Sequence, residues 1–307
     1  MKGYKGFNPG LICKNKKYQE NTVFEEPEAK ICEKGMHFCE NPFDVLDYYD
    51  LIRSDGTPNE FAEVEALDDP KTDDKKKFCS RKLKIGVKLG LSGFIKACVD
   101  FVLERTIAET PSENVYSGNY ARIGSSGYYA RIGSSGDYAR IGSSGYYAQI
   151  GSSGNSVQIG SSGNSARIGS SGNSARIGSS GYYARIGSSG DYAQIGSSGN
   201  SARIGSSGNS VQIGSSGNSV QIGSSGNSAR INCTGIDSVI CCAGNGSAVK
   251  APVGCWITLA EWKYNSAKGR YVPACVKTEY VDGEKIKADT PYMLKNGEFV
   301  EVQANGD

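Results

Sequence analysis

The stretch YYARIGSSGDYARIGSSG at residues 128–145 decides the fold, because it states the same nine-residue phrase twice in succession. The phrase occurs thirteen times between Asn119 and Gly235. Numbered x1 to x9, it has Ile at x5 in every copy, Ala or Val at x3, Arg or Gln at x4, and mostly Gly-Ser-Ser-Gly at x6–x9. Tandem repetition at a short, fixed period is typical of a solenoid, in which each repeat packs on its neighbours.

Apolar and polar residues alternate within the repeat, which is the pattern of a short β-strand. The side chains at x3 and x5 share one face of such a strand, and those at x2 and x4 share the other. We predict that x3 and x5 face a narrow core and that Gly-Ser-Ser-Gly forms the turn, since Gly accepts a positive φ. The pattern therefore predicts a mainly β protein built around a nonapeptide-repeat β-solenoid.

The number of repeats in one coil follows from the substitutions at x1. Tyr128, Tyr146 and Tyr182 lie in even-numbered copies, whereas Asp137 and Asp191 lie in odd-numbered copies. A coil of two repeats, or 18 residues, would keep the two residue types on separate sides, and a coil of three would scatter them. Duplication of a block of six copies would preserve the same parity, so both explanations remain open at this point.

Three regions are predicted along the chain. Residues 1–110 form a small α+β N-terminal domain, residues 111–249 form the solenoid, and residues 250–307 form a β-rich C-terminal cap that protects the last coil from edge pairing. In the first region, Asn41 and Pro42 are typical of the start of a helix. In the last region, Asp282-Gly283 and Asn296-Gly297 predict hairpin turns.

Composition narrows the functional classes. The formal net charge is +2, and residues 111–244 carry 8 Arg, no Lys and 4 acidic residues, a mild basic bias. The chain has 10 Cys without a C-x-x-C pair and a single His, so no metal site or cofactor is expected. The absence of a signal sequence and of an apolar run long enough for a membrane span favours a reducing cytoplasm and no membrane partner.

The outer x4 and x2 positions carry the candidate ligand-binding residues. In a two-repeat coil the x4 side chains form two columns, and Tyr side chains at x2 run beside them. Arg next to Tyr on a flat surface suits an anionic, planar partner such as a nucleotide or nucleic acid. The alternative is a purely structural ladder that stabilises the sheet. The candidate residues are Arg131, Arg167, Arg185 and Arg203 in one column with Tyr129, Tyr147 and Tyr183 beside it, and Arg122 and Arg140 in the other column.

The N-terminal region contains one catalytic candidate. His37 on a strand, followed by a Tyr-rich helix and by Glu63 or Glu65, resembles the arrangement of ADP-ribosyltransferase-like folds. That resemblance implies an enzyme acting on NAD, with the solenoid as a spacer. The alternative is a partly buried histidine with a structural role only.

Three stretches support a second resemblance: YKGF at Tyr4–Phe7, CEKGMHFCENPFDVLDYY at Cys32–Tyr49, and KIKADTPYML at Lys285–Leu294. They resemble uncharacterised proteins encoded by phages and prophages, which pair an N-terminal domain of unknown function with tandem short Gly/Ser repeats. The resemblance implies the cytoplasm of a bacterial host cell and supplies no established activity.

We therefore hypothesise a non-enzymatic binding or scaffold protein. In a phage setting it would inhibit a host defence by engaging an anionic small molecule, a nucleic acid or a host protein through the Arg and Tyr side chains. The N-terminal enzyme is the first alternative. The second alternative is a structural rod that self-assembles, for which a homodimer is the simplest expectation.

Overall fold

The chain consists of a β-solenoid and a small N-terminal domain packed against its side, in a computed structural model that describes residues 1–31, 33–105 and 113–302. Each nonapeptide contributes one four-residue strand at x4–x7, and strands 18 residues apart pair in parallel, as in Arg122 with Arg140 and Arg131 with Gln149. The predicted β-solenoid with two repeats per coil is therefore confirmed. The predicted boundary between residues 110 and 111 lies outside the described residues.

The solenoid strands fall into two sheets on opposite sides of the core, named here the open sheet and the covered sheet. The open sheet contains β9 (Glu113–Tyr116), β11 (Arg131–Ser134), β13 (Gln149–Ser152), β15 (Arg167–Ser170), β17 (Arg185–Ser188), β19 (Arg203–Ser206), β21 (Gln221–Ser224), β23 (Val239–Cys242) and β25 (Trp256–Asn265). The covered sheet contains β10 (Arg122–Ser125), β12 (Arg140–Ser143), β14 (Gln158–Ser161), β16 (Arg176–Ser179), β18 (Gln194–Ser197), β20 (Gln212–Ser215), β22 (Arg230–Cys233) and β24 (Ala248–Lys250).

The core of the solenoid is one continuous column of apolar side chains. Every x5 Ile from Ile123 to Ile231 is buried, and so is every x3 residue from Ala130 to Ala229, which confirms the inward positions. The x7 Ser side chains from Ser134 to Ser224 are also buried, although the sequence interpretation assigned x7 to the turn. In the last coils Cys233 and Cys242 replace Ser at x7.

The turns differ from the prediction. The positive φ lies at x2, on Tyr or Ser, as at Tyr129 (φ 58) and Ser165 (φ 58), and the Gly at x6 belongs to a strand. The x2 N–H donates to the x1 carbonyl of the next coil, as from Tyr129 to Tyr146 at 2.9 Å, which holds the left-handed residue. Gly at x9 has a different role: a Cβ on Gly172 would lie 1.9 Å from the carbonyl oxygen of Gly154 in the neighbouring coil.

A hydrogen-bonded ladder explains the parity at x1. Along the corner formed by odd-numbered copies, the side-chain oxygen of each Asn or Asp accepts the backbone N–H of the x1 residue in the next coil, at 2.7–3.0 Å. This ladder runs without interruption from Asn119 to Asn245. Tyr offers no such acceptor toward the backbone, and it occurs at x1 only in the other corner, at Tyr128, Tyr146 and Tyr182.

The N-terminal domain is a six-stranded sheet with the strand order β4-β8-β6-β1-β5-β7 and two helices between it and the solenoid. Its elements are β1 (Lys2–Phe7), β2 (Ile12–Cys13), β3 (Lys16–Lys17), β4 (Val23–Glu25), β5 (Met36–Cys39), α1 (Pro42–Val45), β6 (Glu60–Ala66), β7 (Lys77–Ser80), β8 (Lys82–Leu89) and α2 (Leu91–Arg105). As predicted, Asn41 caps α1 by accepting the N–H of Phe43 at 3.0 Å, and Pro42 is its first residue.

The C-terminal segment closes the last coil with antiparallel strands. β25 continues the open sheet and turns back as β26 (Arg270–Tyr280), while β27 (Tyr292–Lys295) and β28 (Glu298–Glu301) extend the covered sheet. The predicted turn at Asn296-Gly297 joins β27 and β28, whereas Asp282-Gly283 lies in a loop and not in a hairpin. The outermost strand β26 includes Pro273 and Lys277, which discourage pairing with another edge.

Candidate anion-binding face of the solenoid

The covered sheet receives the N-terminal domain on its Gly residues at x6. A Cβ on Gly178 would lie 2.8 Å from Cγ1 of Ile95, and one on Gly214 would lie 2.6 Å from Cδ1 of Ile52. A side chain at these positions would displace the domain, because protein interiors are close-packed. On the covered sheet, Gly at x6 is therefore required for docking.

Two Arg side chains of the covered sheet are neutralised by the same domain. Arg140 forms an ion pair with Asp44, and both side chains are largely buried. Arg176 lies 3.5 Å from Asp47 and 3.7 Å from Asp50. Gln at x4 also takes part, since the Oε1 of Gln194 accepts the N–H of Leu51 at 3.1 Å. Several x4 side chains of this sheet are thus engaged in contacts with the N-terminal domain.

The open sheet presents the same repeat to solvent. A shallow trough of about 1230 Å³ runs along it, with Arg or Gln at x4 as one wall and Gly at x6 as the floor. Within the described part of the chain, no atom lies within 4 Å of a Cβ built on five of the floor residues, which are Gly151, Gly169, Gly187, Gly205 and Gly223. Unlike the covered sheet, this surface has no occupant among the described residues.

The Arg residues of the open sheet form a line of positive charge. Arg167, Arg185 and Arg203 are direct partners in adjacent strands, and none of them forms an ion pair with the described residues. Two unit charges one coil apart, about 4.8 Å, repel by about 1 kcal/mol even in bulk water. An anion along this column would relieve that repulsion and would accept bidentate hydrogen bonds from the guanidinium groups.

A row of Tyr side chains flanks the Arg column at x2. Tyr129 and Tyr147 stack with ring centroids 5.1 Å apart, and Tyr183 lies further along the row with 63% of its surface exposed. A second depression of about 550 Å³ lies between this row and the Arg column. Exposed aromatic rings beside guanidinium groups form a surface on which planar or anionic groups can lie.

The structure brings together seven of the nine predicted ligand-binding residues. Arg131, Arg167, Arg185 and Arg203 form one column of the open sheet with Tyr129, Tyr147 and Tyr183 beside it. Arg122 and Arg140 are on the opposite sheet, where Arg140 pairs with Asp44. The sequence interpretation missed the Gly floor. The sequence feature that could have revealed this floor is the Gly at x6, because x6 lies in a strand and no turn requires Gly there.

His37 lines a separate pocket of about 740 Å³ in the N-terminal domain. Burial, together with the positive charges of Lys5, Lys77 and Lys14, lowers the pKa of His37 to about 4, so the imidazole is neutral at pH 7. Glu63 and Glu65 line a different pocket. The residues that resembled an ADP-ribosyltransferase-like arrangement are therefore not gathered around one cavity.

Lys5 is the most deeply buried charged group in that pocket. Its Nζ donates to the carbonyl oxygen of His37 at 2.8 Å and to Sγ of Cys13 at 3.5 Å, and the hydroxyl of Tyr49 donates to the same sulfur at 3.0 Å. Burial lowers the pKa of Lys5. Within the described part of the chain, no group of three or more His, Cys, Asp or Glu side chains is placed to hold a metal ion.

Comparison with known proteins assigns only the N-terminal part of the chain. Residues 1–97 match a family model described as a domain of unknown function, DUF7666. The match ends within α2 and includes Asp44, Asp47 and Ile95, which contact the solenoid. No curated protein and no solved structure matches the chain. None of the described helices is long and apolar enough to cross a lipid bilayer.

Proposed function

We propose that this protein is a non-enzymatic binding protein that engages an anionic partner along the open sheet. One observation carries the proposal: the molecule neutralises Arg140 and Arg176 of the covered sheet with its own carboxylates, and leaves Arg167, Arg185 and Arg203 of the open sheet without any among the described residues. Three in-register guanidinium groups on an accessible trough suit a partner that supplies the missing negative charge.

The resemblance to phage-encoded proteins supports a setting in the cytoplasm of a bacterial host. There, the partner would be a component of a host defence, sequestered by the solenoid while the N-terminal domain braces the opposite sheet. The enzymatic alternative has less support, since His37 and Glu63 line separate pockets. Self-assembly through the open sheets is disfavoured by the repulsion between two Arg columns.

The test compares an Arg167/Arg185/Arg203→Gln variant with the wild type in fluorescence anisotropy, using a labelled 20-nucleotide single strand and a labelled Glu-rich peptide as probes. Gln already occupies x4 at Gln149 and Gln221, so the fold is retained. We expect one probe or both to bind, to weaken with salt, and to lose at least about tenfold in affinity in the variant. Arg122→Gln, a single substitution on the covered sheet, controls for the loss of positive charge away from the trough.

The proposal fails if neither probe binds the wild type, or if the triple variant binds as tightly as the wild type. Equal losses from Arg122→Gln and from the triple variant would also contradict it, because the open sheet would then have no special role.

A further inference from the structure

The covered sheet shows what kind of element the outer surface of this repeat accommodates. α2 runs along the stack of coils, and successive turns of the helix place one apolar side chain over one x6 Gly. The pairs are Leu91 over Gly196, Ile95 over Gly178, Val99 over Gly160, and Val102 over Gly142. One helical turn rises 5.4 Å and one coil about 4.8 Å, so the helix and the Gly row stay nearly in step.

Carboxylates complete that interface beside the Gly row. Asp44, at the first turn of α1, pairs with Arg140, and Asp47 and Asp50 in the following residues lie near Arg176. The interface between domain and solenoid therefore has two parts, which are an apolar helical ridge over Gly at x6 and acidic groups over Arg at x4.

The open sheet repeats both parts of this receptor surface. Its Arg column lies beside its Gly row, and the trough between them extends over six coils from Gly133 to Gly223. Five coil spacings amount to about 24 Å, the length of a helix of about 16 residues. The helix that fills the covered row, α2, has 15 residues.

We propose that the open sheet binds an amphipathic, acidic α-helix of a partner protein, seated as α2 is seated on the covered sheet. This rests on the proposed function and names its partner class. Apolar residues at positions 1, 5, 9 and 12 of the helix, the spacing of Leu91, Ile95, Val99 and Val102, lie over the Gly floor, and Asp or Glu residues on one flank pair with Arg167, Arg185 and Arg203.

The Gly floor favours a helix over a nucleic acid as the occupant. A nucleic acid would use the Arg and Tyr side chains, and a side chain at x6 would not obstruct it. A helix needs the floor to be bare, because its backbone must approach the strands closely. All six open coils with a complete repeat have Gly at x6, although a Cβ at Gly151, Gly169 or Gly187 would meet no atom of the described residues.

The test uses the full chain and a labelled helical peptide of about 16 residues with that apolar spacing and an Asp flank, and a second peptide with Asn in place of Asp. The variant is Gly169→Val with Gly187→Val, which places branched side chains on the floor. The matched control is Ser171→Val with Ser189→Val, at exposed positions that directly follow β15 and β17. Arg185→Gln is a second variant, and circular dichroism checks the fold of each.

We expect the Asp peptide to bind the wild type, the Asn peptide to bind at least about tenfold more weakly, and Gly→Val to cost at least about tenfold while Ser→Val costs less than twofold. Unchanged peptide affinity after Gly→Val overturns the helix seat. If only the single-stranded oligonucleotide binds, with a loss on Arg185→Gln, the helix proposal is overturned and the proposed function stands. If no probe binds, both fail.

Discussion

The open and covered sheets of the solenoid are made from the same nonapeptide, yet one is an internal interface and the other faces solvent. On the covered sheet, Gly160 and Gly178 contact α2, and Arg140 is paired with Asp44. On the open sheet, a Cβ on Gly169 or Gly187 would contact no described residue, and Arg167, Arg185 and Arg203 form no ion pair with the described residues. The difference is imposed from outside by the N-terminal domain.

This difference shows that the repeat sequence determines which side chains lie on the surface of the solenoid, but not which of its sheets is covered by another domain. The x4 and x6 positions present Arg or Gln and Gly on both sheets, and the N-terminal domain covers only one of the two sheets. The covered sheet is thereby an internal reference for experiments on the open sheet, since each substitution can be made at equivalent positions of both.

The largest loss of stability is expected at the contact between the x9 Gly residues of stacked coils, on which both sheets depend. Gly172→Ala would place a Cβ 1.9 Å from the carbonyl oxygen of Gly154, and backbone atoms of stacked coils cannot move apart without breaking the ladder between them. We expect a loss of more than about 5 kcal/mol in the free energy of unfolding, measured by urea denaturation. Ser171→Ala, at the exposed neighbouring position, is the control. A loss below about 1 kcal/mol for Gly172→Ala would contradict the close coil contact.

A smaller but face-specific effect is expected for the buried ion pair. Asp44→Asn leaves the guanidinium of Arg140 buried without its charged partner, and we expect a loss of about 3–5 kcal/mol. Adding Arg140→Gln should recover part of that loss, because the uncompensated charge is removed. On the open sheet, Arg185→Gln should change stability by less than about 0.5 kcal/mol. Equal losses from Asp44→Asn and Arg185→Gln would show that the two Arg columns do not differ.

Equivalent Gly residues should respond with opposite signs. Gly178→Ala presses a Cβ against Ile95 at 2.8 Å, and we expect a loss of about 1–3 kcal/mol. Gly169→Ala adds a Cβ in open space and restricts the unfolded chain, so we expect no loss and a gain of up to about 1 kcal/mol. Urea denaturation of both variants decides the point, and a loss at Gly169 equal to that at Gly178 would refute the assignment of faces.

A pH-dependent effect should distinguish the covering domain from the solenoid. The pKa of His37 is about 4 in the folded domain and about 6.5 when unfolded, so between these values only the unfolded state holds the proton. The stability of the domain should therefore fall as pH falls from about 6.5 to about 4. Hydrogen exchange at pH 4.5 should show faster opening of residues 1–105 in the wild type than in His37→Gln, with no difference in the open sheet. Identical exchange in the two proteins would contradict this assignment.

The sequence was sufficient for the core and for the length of the coil. Alternation placed x3 and x5 inward, and Tyr128 and Asp137 at x1 indicated two repeats per coil, which the structure explains by the Asn and Asp ladder in one corner. The predicted role of Gly in the turn was wrong. Gly at x9 is required by its contact with the neighbouring coil and not by its φ. The left-handed residue is Tyr or Ser at x2, which hydrogen bonds between coils hold in that conformation.

The sequence did not indicate which of the two sheets the N-terminal domain covers. Arg122 and Arg131 occupy the same position of nearly identical repeats, and only the placement of α2 separates them. Docking is a long-range contact between Ile95 and Gly178, which neither local propensity nor the repeat pattern encodes. The two-repeat coil already divided the candidate residues into two columns, whereas the fold was needed to show which column is covered. Their role in ligand binding stays a prediction.

The uninterrupted ladder from Asn119 to Asn245 restricts how such a chain can lengthen or shorten. Inserting a single nonapeptide would move every downstream copy to the other side of the rod, so that Tyr146 and Tyr182 would enter the corner that needs an acceptor and the domain would meet a different set of x4 residues. Inserting a pair would leave all phases intact and add one coil, about 4.8 Å of height. Gains and losses of length in this architecture should therefore occur in multiples of 18 residues, which equals 54 nucleotides of coding sequence.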